Sequence, residues 1–190
     1  NSYRGATLAG DQEALRVVEA ELTRREVFHR RLDLDYAFHS PAMDPTESGV
    51  YESLASLRPA AGTIAMYSTV TGKCIQGVEL DAKYWWLNIR KPVLFQQAVE
   101  AIQAEGINIF LEVGPHAVLR SYLNDCLKVA GGEGRVISTL KRGDDDPLRV
   151  REASAQAIIA GAPLDWSRYF SKPQPFRQLP NYPWQRERYW

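Results

Sequence analysis

The chain has 190 residues, 45% of them apolar and 24% charged, enough for one ordinary domain with a hydrophobic core. Its 23 basic and 23 acidic residues cancel, so nothing in the charge favours nucleic acid or an anionic membrane as partner. The two cysteines, Cys74 and Cys126, stand far apart, which argues against a disulfide framework or a zinc site, and no apolar run is long enough to span a bilayer.

In chain order, residues 5–9 read as a short strand, and Asp11 is placed to cap a helix whose Leu15, Val18 and Leu22 share one face. A second strand is expected at residues 31–35, where Leu32 and Leu34 alternate with charged neighbours. It runs into Tyr36-Ala37-Phe38-His39-Ser40-Pro41, where Pro41 withholds a ladder donor and turns the chain. Val50, Leu54 and Leu57 mark the next helical face, Ile64 to Val70 a strand closed by Thr71-Gly72, and Asp81 to Pro92 a helix. Phe95, Ala98, Val99 and Ile102 give a further amphipathic helix ended at Gly106. Ile109 to Val113 is almost wholly apolar, as in a strand buried on both faces. Leu119, Tyr122, Leu123, Cys126 and Leu127 form a helical stripe that would bury Cys126 as a reduced thiol. A strand at residues 135–140 and a charged loop at 141–145 follow, and Asp146-Pro147 opens a last helix that Gly161 ends. Alternating elements imply an α/β layered core.

The character changes after about residue 163. Prolines and aromatics crowd residues 171–190, so this segment should run extended, either as an ordered strap packed on a neighbouring domain or as a mobile tail. No signal peptide is visible, and a reducing cytoplasm is the expected compartment. The first residues, Asn1-Ser2-Tyr3-Arg4, include no initiator methionine, which suggests a piece of a longer chain, a processed chain being the alternative.

Three histidines are candidates for chemistry. His29 reads as an edge or surface residue of a strand, and His116, after Gly114-Pro115, as part of a helix start. His39 closes a strand beside a chain-turning Ser-Pro, a place where layered folds expose reactive groups. Position alone favours a packed histidine over a reactive one.

Tyr36-Ala37-Phe38-His39-Ser40-Pro41-Ala42-Met43 resembles the segment around the catalytic histidine of the malonyl-CoA:acyl carrier protein transacylase family, and more narrowly of acyltransferase domains of type I modular polyketide synthases. Four further segments agree in order: 66–72 (MYSTVTG), 84–93 (YWWLNIRKPV), 110–116 (FLEVGPH) and 179–190 (LPNYPWQRERYW). The resemblance implies an enzyme that moves an acyl group from coenzyme A to a serine and on to the phosphopantetheine thiol of an acyl carrier protein. It implies His39 as the base that activates the serine, with a backbone carbonyl matched at Asn88 orienting the imidazole. It implies no cofactor or metal held by this chain, and as partners the carrier protein, a coenzyme A thioester, and an adjacent ketosynthase with its linker.

The family's nucleophile lies in a Gly-His-Ser-x-Gly elbow, and no Gly-x-Ser-x-Gly occurs in these residues. Ser40 matches a position other than the nucleophile's. The chain alone is therefore expected to be inactive, a docking piece being the alternative. Phe38 is similar to the malonyl-selecting form, its ring filling the space an α-methyl would need. Tyr36 departs from that pattern and resembles the methylmalonyl one, so malonyl is the expected extender, with methylmalonyl or a starter unit as the alternative. The resemblance divides the chain into residues 1–36, the remainder of a ferredoxin-like subdomain; 37–162, the second half of an α/β-hydrolase-like subdomain; and 163–190, a linker, with Trp184, Tyr189 and Trp190 as its docking anchors.

Overall fold

A parallel strand pair bridged by a helix carries the main core. A computed structural model describes residues 1–34, 36–129, 131, 134–143, 148–170, 172 and 175–188. Strands β3 (Ile109–Glu112) and β4 (Arg135–Ser138) pair in parallel, Ile109 opposite Arg135 and Glu112 opposite Ser138. Helix α5 (Arg120–Val129) makes the crossover, as parallel neighbours require. Leu123, Cys126 and Leu127 of its predicted stripe are buried, while Leu119, ahead of the helix, stays exposed; Val99, Leu123 and Cys126 pack with Phe95, Phe110 and Val136. Val99 and Phe95 come from α4 (Phe95–Ala104), which also lies on the antiparallel hairpin of β1 (Met66–Ser68) and β2 (Lys73–Ile75).

Local chemistry explains where the helices start and stop. Asp11 accepts from the N–H groups of Glu13 and Ala14 to cap α1 (Gln12–Arg24), and Asp81 accepts from Tyr84 N–H to cap α3 (Ala82–Arg90). Helix α2 spans Glu47–Ser53. At the end of α6 (Leu148–Ile159), Ala162 N–H bonds to Ala157 O and Gly161 N–H to Ile158 O, with Gly161 at φ 95°. The same pair of bonds closes α1, from Val27 N–H to Leu22 O and Glu26 N–H to Thr23 O. There the left-handed position is held by Glu26, at φ 55°, a conformation that costs a residue with a Cβ. A short α7 (Trp166–Tyr169) follows, capped by Asp165.

Several strand expectations change. Residues 5–9 and 31–34 form no strand, because neither segment meets a ladder partner among the described residues. Residues 2–5 lie instead against α4 and α5: Ser2 Oγ donates to Asp125, Tyr3 Oη bonds Glu100, and Gly5 abuts the ring of Tyr122. The strand expected at 64–70 is limited to Met66–Ser68 by the length of its hairpin partner, and Ile64 is 86% exposed. Strand β3 is covered on one face only: Phe110 reaches the core, while Leu111, pointing the other way, is 51% exposed. Helix α1 likewise buries no residue, and Val18 on its apolar face stays exposed. The helix start expected at Asp146-Pro147 lies outside the described residues. No helix among the described residues is long and apolar enough to cross a membrane.

Candidate active site

His39 sits in a turn between an irregular extended segment and a 3-10 helix, Pro41–Thr46. Its backbone adopts φ 66°, a left-handed conformation that histidine visits more readily than most residues but that still costs about 1 kcal/mol or more. Two carbonyls at the end of α3 hold it there. The backbone N–H of His39 donates to Ile89 O at 2.7 Å, and the imidazole Nδ1 lies 2.8 Å from Lys91 O. A carbonyl can only accept, so Nδ1 carries the proton and the neutral ring presents Nε2 as its basic nitrogen.

The carbonyl at the imidazole thus belongs to Lys91 and not to Asn88, the position expected from the motif. Both lie where α3 runs out. Pro92 has no N–H to give Asn88 O its intrahelical bond, while Lys91, the C-cap at φ −88° and ψ 156°, has left helical geometry and turns its carbonyl toward His39. Arg90 adds an ion pair to Asp44 on the 3-10 helix, fastening the two walls beside His39.

Ser40, next to His39, has a structural task. It is 2% exposed, its Oγ donates to Ala37 O at 2.7 Å, and it accepts from Ala42 N–H at 3.3 Å as cap of the 3-10 helix. A hydroxyl enclosed in this way is not free to attack a substrate. Phe38 and Tyr36 are not core rings: they are 41% and 50% exposed and stack obliquely on one another at 4.4 Å. Phe38 also meets the imidazole of His39 edge-on at 6.3 Å. Ring, imidazole and solvent therefore share one surface.

The other histidines fall away from this place. His29 belongs to no strand, and its ring nitrogens face Val27 O at 3.0 Å in its own loop and Thr23 Oγ1 at 3.4 Å in the last turn of α1. His116 lies in the turn before α5, three residues short of the residue that precedes the helix. The remaining polar residue of its motif, Glu112, was not singled out by sequence. Its Oε1 accepts from Val118 and Leu119 N–H at 2.6 and 2.7 Å, pinning the loop between β3 and α5. In the terminal segment, Tyr182 and Trp184 meet edge to face at 4.9 Å, both largely exposed, while Tyr189 and Trp190 lie outside the described residues.

Residues 1–163 match the family model described as the acyl transferase domain, and the chain belongs to that family. Its relatives include polyketide synthases. It is 38% identical over 194 residues to a spectinabilin polyketide synthase system protein of Streptomyces orinoci, aligning over 100% of this chain and 5% of that protein. It is 31% identical over 192 residues to erythronolide synthase EryA2 of Saccharopolyspora erythraea, again over 100% of this chain and 5% of the relative. Among solved structures, the acyltransferase domain from module 8 of the salinomycin polyketide synthase superposes with a TM-score of 0.79 at 32% identity, over 83% of this chain and 37% of that one. The loading acyltransferase of the avermectin synthase gives 0.72 at 31% identity, over 78% and 46%. The chain thus has the mixed α/β fold of these domains and spans less than half of each.

Proposed function

We propose that His39 is the general base of a polyketide synthase acyltransferase that carries malonyl from coenzyme A, through a serine ester, to the phosphopantetheine thiol of an acyl carrier protein. The observation that carries this reading is the 2.8 Å contact of His39 Nδ1 with Lys91 O, which fixes the ring and leaves Nε2 as its basic nitrogen. The nucleophilic serine is supplied by polypeptide outside these 190 residues. His39 Nε2 takes its proton as Oγ attacks the thioester carbonyl, then returns that proton to the sulfur of departing coenzyme A. In the second half Nε2 deprotonates the carrier's thiol, which attacks the ester, and serine leaves with the proton. Lys91 O stabilises the imidazolium present between these transfers by accepting from Nδ1–H, a role filled elsewhere by a carboxylate.

Selection for malonyl is assigned to Phe38, and its edge-on approach to the imidazole at 6.3 Å supports a steric role beside the base. Residues 37–162 belong to an α/β-hydrolase-like subdomain and 1–36 to a ferredoxin-like one, with the substrate between them. Residues 163–190 form a linker toward a ketosynthase, and the exposure of Phe176 and Trp184, 93% and 74%, supports a covering partner there.

The test is acyl-enzyme formation in the complete domain. With malonyl-CoA, intact-mass spectrometry should register the malonyl adduct on the unaltered domain and its loss, by a factor of about 100 or more in rate, in His39→Ala. An undiminished rate in that variant would end the proposal.

A further inference from the structure

The imidazole acceptor Lys91 O lies on an arm, residues 84–94, that a single turn grips at both ends. At one end, Ser68 Oγ lies 3.0 Å from Tyr84 Oη, and both residues are buried, at 1% and 7% exposure. At the other, Leu94 N–H donates to Thr69 O at 2.7 Å. The turn itself is built around Ser68. Its Oγ accepts from Val70 N–H at 3.0 Å and Thr71 N–H at 3.3 Å, and its carbonyl accepts from Gly72 N–H at 2.8 Å. Two backbone donors occupy both lone pairs of the hydroxyl, so its one hydrogen points to Tyr84.

Between the two grips lie both carbonyls that hold His39, Ile89 O on its backbone N–H and Lys91 O on Nδ1. On that stretch the arm is held as well by the Arg90–Asp44 ion pair beside His39. The last helical bond is Lys91 N–H to Leu87 O, and Pro92 can donate nothing.

We infer that Ser68 and Tyr84 are positioning residues for His39: their buried hydrogen bond sets the arm, and through Lys91 O the angle and tautomer of the imidazole. The inference rests on the base role proposed for His39. It assigns the serine of the 66–72 segment and the tyrosine that opens the 84–93 segment one shared task that neither segment discloses alone. Small displacements matter here, because misplacing a catalytic group by about 1 Å costs roughly 100-fold in rate.

The test uses the complete domain with malonyl-CoA, carrying Tyr84→Phe, His39→Ala, or both, and follows single-turnover loading together with the ring nitrogen signals of His39. Tyr84→Phe should lower kcat about 10-fold while KM stays within about two-fold, since the lost bond touches no substrate. It should move the His39 ring signals toward a mixture of tautomers, and it should cost nothing further in the His39→Ala background. A folded Tyr84→Phe domain with unchanged kcat and ring signals, or the same loss in both backgrounds, overturns the inference. Should Tyr84→Phe not fold, Ser68→Ala is read by the same measurements with the same two outcomes. Full-rate loading by His39→Ala would instead sink the base role, and the ring signals alone would then decide the coupling.

Discussion

Replacing Ser40 with alanine separates its structural task from a chemical one. The hydroxyl serves two backbone groups, Ala37 O at 2.7 Å and Ala42 N–H at 3.3 Å, and the side chain is 2% exposed. Ala37 O is half-buried and loses its donor, which costs about 1 kcal/mol at the low end for an unpaired buried group. Ala42 N–H lies at an exposed residue where water replaces a long bond, adding about 0.5 kcal/mol as a lost cap. The sum, about 1.5 kcal/mol, divided by a urea slope of about 2 kcal/mol/M predicts a midpoint roughly 0.7 M lower in equilibrium unfolding of the complete domain. The malonyl adduct should still form on the folded variant. An unmoved midpoint would refute the capping argument. A folded domain unable to take the adduct would show that Ser40 bears the ester.

Phe38→Ser should relax discrimination between malonyl-CoA and methylmalonyl-CoA by roughly 10-fold, about 1.4 kcal/mol, in competing loading assays; equal ratios before and after would exclude the steric role. Glu26→Gly should stabilise the fold by about 1 kcal/mol, raising the melting temperature by about 2–4 °C, because glycine takes the left-handed position at the end of α1 without a Cβ clash. Burial pushes the thiol of Cys126 up, so in the folded protein exposed Cys74 should alkylate at mildly alkaline pH while Cys126 reacts only on unfolding. Because the folded thiol keeps its proton at a pH where the unfolded one loses it, Cys126 contributes stability that is full below the ordinary thiol value. That contribution falls as pH rises through the folded value. Urea midpoints across this range should decline less steeply in Cys126→Ala.

What the sequence discloses follows the reach of the forces involved. Asp11 and Asp81 are legible as caps because a carboxylate and the next turn's N–H groups lie within a few residues of each other. The inward stripe of Leu123, Cys126 and Leu127 is legible because helical period and burial coincide on one element. Strands are different: Leu32 and Leu34 alternate correctly, yet alternation without a neighbouring ladder leaves both more than half exposed. His39 stands out through its motif, but the identity of its acceptor depends on how α3 unwinds at Pro92, which shifts the carbonyl from Asn88 to Lys91. Glu112 and the Ser68–Tyr84 pair escape notice for a related reason. Each partner is an ordinary residue, and only the fold brings Glu112 to the loop before α5 or Ser68 to α3.

The base role of His39 meets its most direct trial in the pH dependence of single-turnover acylation by the complete domain. Ring signals of His39 give its protonation state over the same pH range. The account predicts that the acid limb of the rate follows that titration, as Nε2 gains a proton and can no longer accept one from the serine. A rate indifferent to the protonation of His39 would contradict it.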